Sequence, residues 1–394
     1  MKSKKKTPKR PKAVYLDSAA TTRQKPPQVL KAVNDFVLNV GVSHGRGAYR
    51  AAIEANELVF GTRSALSKLL HIQRMDRILL MKNVTEAINT ALKGYLKSGD
   101  HVVLSGLEHN AVIRPLNKLK ADRGIDYTLV AANSTGRLNP YDFEEAFKPN
   151  TKLVCLTHAS NVIGNLSPVE EVGALCAKKG IAFLVDTAQT AGSVPIDMKT
   201  MNIDFLAFTG HKGLMGPPGT GGLAVSAKMD LDSFIEGGTG SNSDKEEQPA
   251  QWPDKFESGT QNYWGLAGLK AGTEFLLKNS VQAVKRKEEA LTKQFLLGVE
   301  KMKGVKVYGL PAGFEKDRVG VVSLNVEGWD PSELAYELDE KYGVMVRSGL
   351  HCAPLAHRTI GTYPIGTVRF SFGFYNTDKE VEKALNALKV ITQS

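Results

Sequence analysis

Residues 181–213 read "IAFLVDTAQTAGSVPIDMKTMNIDFLAFTGHKG", and two short apolar runs within them decide the fold. One run, "IAFLV", ends on Asp186; the other, "FLAF", ends on Thr209, Gly210, His211 and Lys212. Each run is continuous rather than alternating in polarity, the pattern of a strand covered on both faces of a parallel sheet. Outward from this stretch, between about residues 50 and 230, similar runs alternate with helical spacing. "AAIEANELVFGTRSALSKLL", "NVTEAINTALKGYL" from near Asn83, residues 110–122, "PYDFEEAF" and residues 168–178 read as helices. "RILLM", "HVVLSG", "DYTLVAA", "KLVCLTHAS" and "GGLAVSA" are strand-sized. Strands separated by helices predict an α/β fold with a mostly parallel sheet between two helical layers.

The polar stretch 236–262 predicts a long surface loop. One long helix from about Trp264 to Met302 is expected to bridge two domains. Beyond it, "VKVYGL", "VGVVSLNV", the helix "PSELAYELDEKYG", "VMVRSG", "TVRFSFG" and a closing helix over 378–391 predict a smaller α+β unit. The expected division is a disordered basic tail at 1–13, a large domain at 14–275, whose first residues can pack on the small domain, and a small domain at 276–394.

The net charge of +10 is concentrated at one end: residues 1–12 hold seven Lys or Arg and no acid, leaving about +3 for the rest. Such a run reads as a solvated tail rather than a nucleic-acid groove, with weak nonspecific contact to RNA or an anionic surface as the alternative. No apolar run approaches the roughly 20 residues of a membrane span. Three cysteines at 155, 176 and 352 make neither a disulfide framework nor a zinc site, and a reducing, cytoplasmic setting fits. Cys155 and Cys176 lie in apolar segments and read as core residues. Cys352 lies among Gly, His and Pro in "RSGLHCAPLAHRTIGT" (347–362).

Asp186 stands where ligands of open α/β sheets bind, at the carboxyl end of a strand. Lys212 follows the end of a second buried strand, where partial desolvation lowers an amine pKa and suits imine formation. An aspartate for a pyridinium nitrogen and a lysine for an imine are what a pyridoxal phosphate site requires. Taken alone, each has a plainer reading as a turn former or a solvent-facing lysine. Asn83, Val84 and Thr85 open a helix whose amides can cradle an anion, or form an ordinary capping box with Glu86. His109 at a strand end can stack on a planar cofactor or be an ordinary core or surface histidine. Asn161 can bond a phenolate oxygen or form a turn. "GPPGTGG" (216–222) lacks the Gly-Lys-Ser/Thr ending of a P-loop and reads as a tight turn.

Eight motifs, "LDSAATT", "EHNAVIRPL", "HASNVIG", "VDTAQTAG", "TGHKG", "FESGTQN", "RSGLHCAP" and "VRFSFGFYNT", occur in the order seen in aminotransferase class V. Over roughly residues 14–390 the chain resembles fold-type I pyridoxal phosphate enzymes, most of all the group II cysteine desulfurase and selenocysteine lyase branch. The resemblance implies a large domain built on a mostly parallel seven-stranded sheet and a smaller C-terminal α+β domain. It implies that Lys212 carries the cofactor as an imine and Asp186 pairs with its ring nitrogen. His109 would stack on the ring, Asn161 and Gln189 would approach the ring oxygen, and Thr85, Thr209 and His211 would hold the phosphate. Thr260 would reach the phosphate of a partner subunit, implying a homodimer. Arg369 would bind the substrate carboxylate, and Cys352 would accept sulfur on a mobile, glycine-bearing loop. Leu350 stands where a second histidine is common, and "SHGRGAY", with His44 and Arg46, matches the family only loosely. His351 is expected to point away from its neighbour Cys352. The implied activity moves sulfur from L-cysteine to Cys352 as a persulfide, releases alanine and passes the sulfur to an acceptor protein. Selenocysteine or cysteine-sulfinate lyase is the alternative on the same cofactor, and a non-catalytic RNA-binding scaffold the remote one.

Overall fold

The computed structural model describes residues 12–45 and 47–393. All but the last two residues of the basic tail read at 1–13, and Arg46, lie outside the described residues. The strands are β1 (Val14–Tyr15), β2 (Ile78–Met81), β3 (His101–Ser105), β4 (Asp126–Val130), β5 (Thr151–Thr157), β6 (Ala182–Asp186), β7 (Phe205–Thr209) and β8 (Gly221–Val225). They continue with β9 (Val305–Tyr308), β10 (Val321–Val326), β11 (Val344–Met345), β12 (Arg347–Gly349) and β13 (Thr367–Ser371).

Seven strands form one sheet in the order β2-β8-β7-β6-β5-β3-β4, in which only the β8 pairings are antiparallel. Its apolar runs are continuous because successive residues enter opposite cores. In β5, Val154 and Leu156 face the helices Arg50–Leu70, Val169–Lys179 and Tyr263–Asn279, whereas Leu153 and Cys155 face Val84–Tyr95 and Asn110–Arg123. Each fully buried Leu or Val here contributes about 1.5–3 kcal/mol. Cys176 lies in the first of these cores, as expected of a small apolar residue.

A second, antiparallel sheet runs β12-β13-β10-β9. Its core joins Phe370 and Leu324 to Leu291 and Phe295 of the helix Val281–Val299 and to Leu388 of the helix Asp378–Ile391. The chain start belongs here too, since β1 pairs in parallel with β11 and Leu16 is buried in the same core.

Three elements depart from the sequence expectation. The single helix over 264–302 is two helices, Tyr263–Asn279 and Val281–Val299, broken at Ser280 with φ 68° and ψ 126°. The break lets Val284 stay with the large core while Phe295 enters the small one. The helix Pro27–Asn39 has no predicted counterpart, because it opens on Pro26–Pro27 without a side-chain cap. The 236–262 stretch is more than a surface loop: the Trp252 ring packs tilted against buried Phe256 at 4.4 Å, and Glu257 pairs with Arg63 at 2.5 Å. Among the described residues no helix is long and apolar enough to cross a membrane.

Candidate active site

Parallel pairing puts the carboxyl ends of neighbouring strands side by side. Thr157 is in register with Asp186, and Asp186 with Ala207, two residues before Thr209. Asp186 is buried, and its Oδ1 accepts the Ala188 N–H at 2.9 Å. Burial raises its carboxyl pKa, against that hydrogen bond and the charge of Lys212. Lys212 follows β7, its Nζ forming no hydrogen bond or ion pair with any described residue. Burial lowers the amine to about 8. The "LDSAATT" segment fastens the turn that carries it. Thr22 Oγ1 donates to the Lys212 carbonyl at 2.8 Å, Thr21 Oγ1 lies 3.0 Å from His211 Nδ1, and Lys25 Nζ donates to the His211 carbonyl at 2.9 Å.

His109 caps the helix Asn110–Arg123, its Nδ1 accepting the Ala111 N–H at 3.1 Å. The proton of the neutral ring is therefore on Nε2. Burial, with Lys212 and nearby arginines, lowers this imidazole to about 4, which keeps it neutral. Beneath it lies Glu108, fully buried and raised to about 8 by desolvation, held by Ser105 Oγ at 2.6 Å and the Thr157 N–H at 2.9 Å.

The residues read as a phosphate cradle have donors to spare. Asn83 caps its helix through the Glu86 N–H at 3.0 Å, so the capping reading holds. Yet the Val84 and Thr85 amides have no acceptor among the described residues. Among the described residues Thr209 Oγ1 is buried without a partner, and no hydrogen bond reaches His211 Nε2. Gly221 lets the Asn83 turn lie on β8, where a Cβ would come within 2.8 Å of Asn83 Cα. This set, with Asp186 and Lys212, fits a phosphorylated pyridine aldehyde in donor chemistry and in charge.

On the opposite wall Arg369 is 1% exposed in β13. It bonds Asp17 Oδ1 at 2.7 Å and the Asn161 carbonyl at 3.0 Å, while its Nε has no partner. Arg347 lies directly across from it in β12 and reaches Cys352 Sγ at 3.9 Å. Neither Asp17 nor Arg347 is singled out by the sequence, although Arg347 opens the Cys352 motif and Asp17 lies inside "LDSAATT". The Asn161 and Gln189 side chains donate to the carbonyls of His351, at 2.7 Å, and Ala19, at 3.2 Å.

The Cys352 loop is a short turn between β12 and the helix Pro354–Thr359. Asn110 donates its N–H to the Cys352 carbonyl at 2.8 Å, and Ala353 closes the turn on Leu350 at 2.8 Å. His351 and Cys352 both take positive φ, 47° and 59°, which turns the Cys352 side chain outward to solvent and the His351 ring inward. His351 is buried, 3.2 Å from Thr367 Oγ1 and near His357. Thr260 is exposed. His44 Nδ1 lies 2.5 Å from Tyr263 OH. Among the described residues no cluster of His, Cys, Asp or Glu is arranged to hold a metal.

A model of the family described as Aminotransferase class-V matches residues 14–384. The chain belongs to the class-V aminotransferase family. The resemblance carried by the eight sequence motifs is thereby borne out, as is the α/β fold with its mostly parallel sheet. Among class-V relatives, a probable cysteine desulfurase of Methanothermobacter thermautotrophicus is 34% identical over 376 residues, covering 94% of this chain and 92% of that one. A cysteine desulfurase of Shigella flexneri is 30% identical over 388 residues, covering 96% and 93%. The apo structure of a cysteine desulfurase from Thermococcus onnurineus NA1 superposes with a TM-score of 0.90 at 32% identity, covering 97% of this chain and 95% of that one.

Proposed function

We propose that this class-V protein is a pyridoxal phosphate-dependent cysteine desulfurase that moves the sulfur of L-cysteine to Cys352. One observation carries the reading: the turn bearing the exposed Cys352 thiol is hydrogen-bonded to the start of the helix that His109 caps, so acceptor thiol and stacking ring share one wall. Lys212, Asp186, His109, Thr209, His211 and the Thr85 amide would hold the cofactor. When bound, the cofactor supplies an electron sink beside the substrate Cα.

Arg369 binds the substrate carboxylate, exchanging Asp17 for it as partner. The Lys212 amine, neutral above about pH 8, takes the Cα proton. Neutral His109 covers the ring without adding charge. The Cys352 thiolate attacks the substrate sulfur; the Cβ–S bond breaks, an S–S bond forms, and the carbon gains a proton to leave as alanine. No external oxidant is needed. Arg347 lies beside Sγ, 3.9 Å away. His351, turned inward, takes no part. The exposed thiol on a short pinned turn requires the acceptor protein to come to it. The same reading makes the protein a homodimer in which Thr260 serves the partner's site, divided into a large domain at 14–275 and a small one at 276–394 and working in a reducing cytoplasm.

A single-turnover reaction with L-cysteine tests this. The Cys352 peptide should gain one sulfur by mass as one alanine is released. Cys352→Ser should keep the cofactor absorbance and form no adduct. Unchanged alanine release from the serine variant with L-cysteine would overturn the assignment.

A further inference from the structure

Between the large domain and the helix Val281–Val299 lies a cleft of about 560 Å³ whose lining does not include Lys212 and which the chemistry above does not use. That volume suits a small organic ligand. Its inner end holds hydrogen-bonding groups without partners. Ser167 is 8% exposed and its Oγ is unbonded; His158 is 5% exposed, its Nδ1 is unbonded, and no partner meets its Nε2. The eleven-residue helix Val169–Lys179 starts at the same place without a side-chain cap, and the Glu170 and Glu171 amides have no acceptor among the described residues.

The charge at this end is set by Lys285. Its side chain is 17% exposed, 3.6 Å from Glu289, and its Nζ donates to the Lys316 carbonyl at 3.1 Å. The other charges at the cleft are placed otherwise: Arg137 is bonded to Asp317 at 3.0 Å, and the carboxylates of Glu170 and Glu171 are exposed. The remaining wall is apolar, including Leu138, Leu166 and Met201.

We propose that this cleft binds a small organic anion, its charged end between Lys285, His158, Ser167 and the free amides of the helix start, its apolar body on the Leu138–Leu166–Met201 wall. The Ser167 hydroxyl, the His158 ring, the Lys285 ammonium and the free amides at the inner end can each donate a hydrogen bond, the condition for holding an anion, and Lys285 would turn from Glu289 toward the ligand. The apolar wall separates such a ligand from a bare inorganic ion. Asn161 belongs to the loop that begins and ends in this cleft, at His158 and Ser167, so the bound anion holds both ends of a loop whose middle meets Arg369 and His351. The inference does not depend on the desulfurase reading, because its test measures binding alone.

Calorimetric titration of the holoprotein with phenylacetate provides that test, with phenylacetamide as neutral isostere and inorganic phosphate as an anion without an apolar body. Phenylacetate should saturate with a Kd on the order of 1 mM; the amide and phosphate should bind at least about tenfold more weakly. Lys285→Gln should weaken phenylacetate about tenfold, whereas Arg369→Gln, which removes the carboxylate-binding arginine of the active site, should leave it unchanged. Equal binding of acid and amide, no saturation, or a loss confined to Arg369→Gln would each overturn the proposal. Crystals of the unmutated protein soaked in 4-bromophenylacetate give an answer that needs no variant: bromine density in the cleft supports the site, and density only beside Arg369 rejects it.

Discussion

Burial holds the Lys212 amine near 8 instead of 10.5, with Arg369 and Arg347 pushing the same way and Asp186 and Asp17 opposing. A lysine whose folded value is depressed is the free amine above that value and the unreactive ammonium below it. Capture of pyridoxal phosphate by the apoprotein should therefore speed up with pH, about tenfold per unit up to about pH 8, and level off above it; stopped-flow absorbance checks this. A rate that falls over the same range would show that Lys212 is not the capturing amine. Arg369 depends on a partner in the same way. Asp17→Asn leaves a guanidinium that is 1% exposed without its counter-charge, and should lower stability by about 3 kcal/mol in chemical unfolding. Lys212, Asp186 and His109 were legible as candidates in the sequence because each follows an apolar run that marks a strand end. Asp17 and Arg347 were not: the segments bearing them are short, and their meaning comes from what lies across the cleft.

At the level of elements, the phosphate cradle relies on one close approach. A Cβ on Gly221 would come within 2.7 Å of the Phe208 carbonyl oxygen and 2.8 Å of Asn83 Cα. Gly221→Ala should push the start of the helix Val84–Tyr95 away from β8. Losing one hydrogen bond to a charged phosphate costs about 1.5–3 kcal/mol, so cofactor affinity should fall at least tenfold, measured by retention on dialysis. The two bridging helices show the limit of pattern reading. Helical periodicity runs unbroken through Asn279 and Ser280, neither of which is Pro or Gly, and the break exists because the two segments belong to different cores. The helix Pro27–Asn39 was hidden for the opposite reason, its start lacking the side-chain cap that marks helix entry.

On the scale of the whole molecule, the helices Pro27–Asn39 and Arg50–Leu70, both packed on Tyr263–Asn279, and that helix itself leave large apolar side chains in solvent: Leu30 and Leu38, Ile53 and Phe60, and Trp264, which follows the Thr260 loop. Such a set on one helical layer is a surface suited to a second copy. The protein should sediment as a dimer, and Trp264→Glu should shift it toward monomer and weaken cofactor retention together, if Thr260 serves the partner's site as proposed. Dissociation with unchanged retention would remove Thr260 from the cradle. The sequence by itself determined the α/β alternation, the strand ends that carry Asp186 and Lys212, and the burial of Cys155 and Cys176, because apolar periodicity and the residue that ends each run are local properties. Only the tertiary structure decided that Arg369 meets Asp17 across 352 positions of chain, that Asn110 holds Cys352 in a short turn, and that His351 faces inward. Those contacts depend on how two cores close on each other, and a hydrogen-bond partner brought in by packing leaves no periodic trace in the chain that meets it.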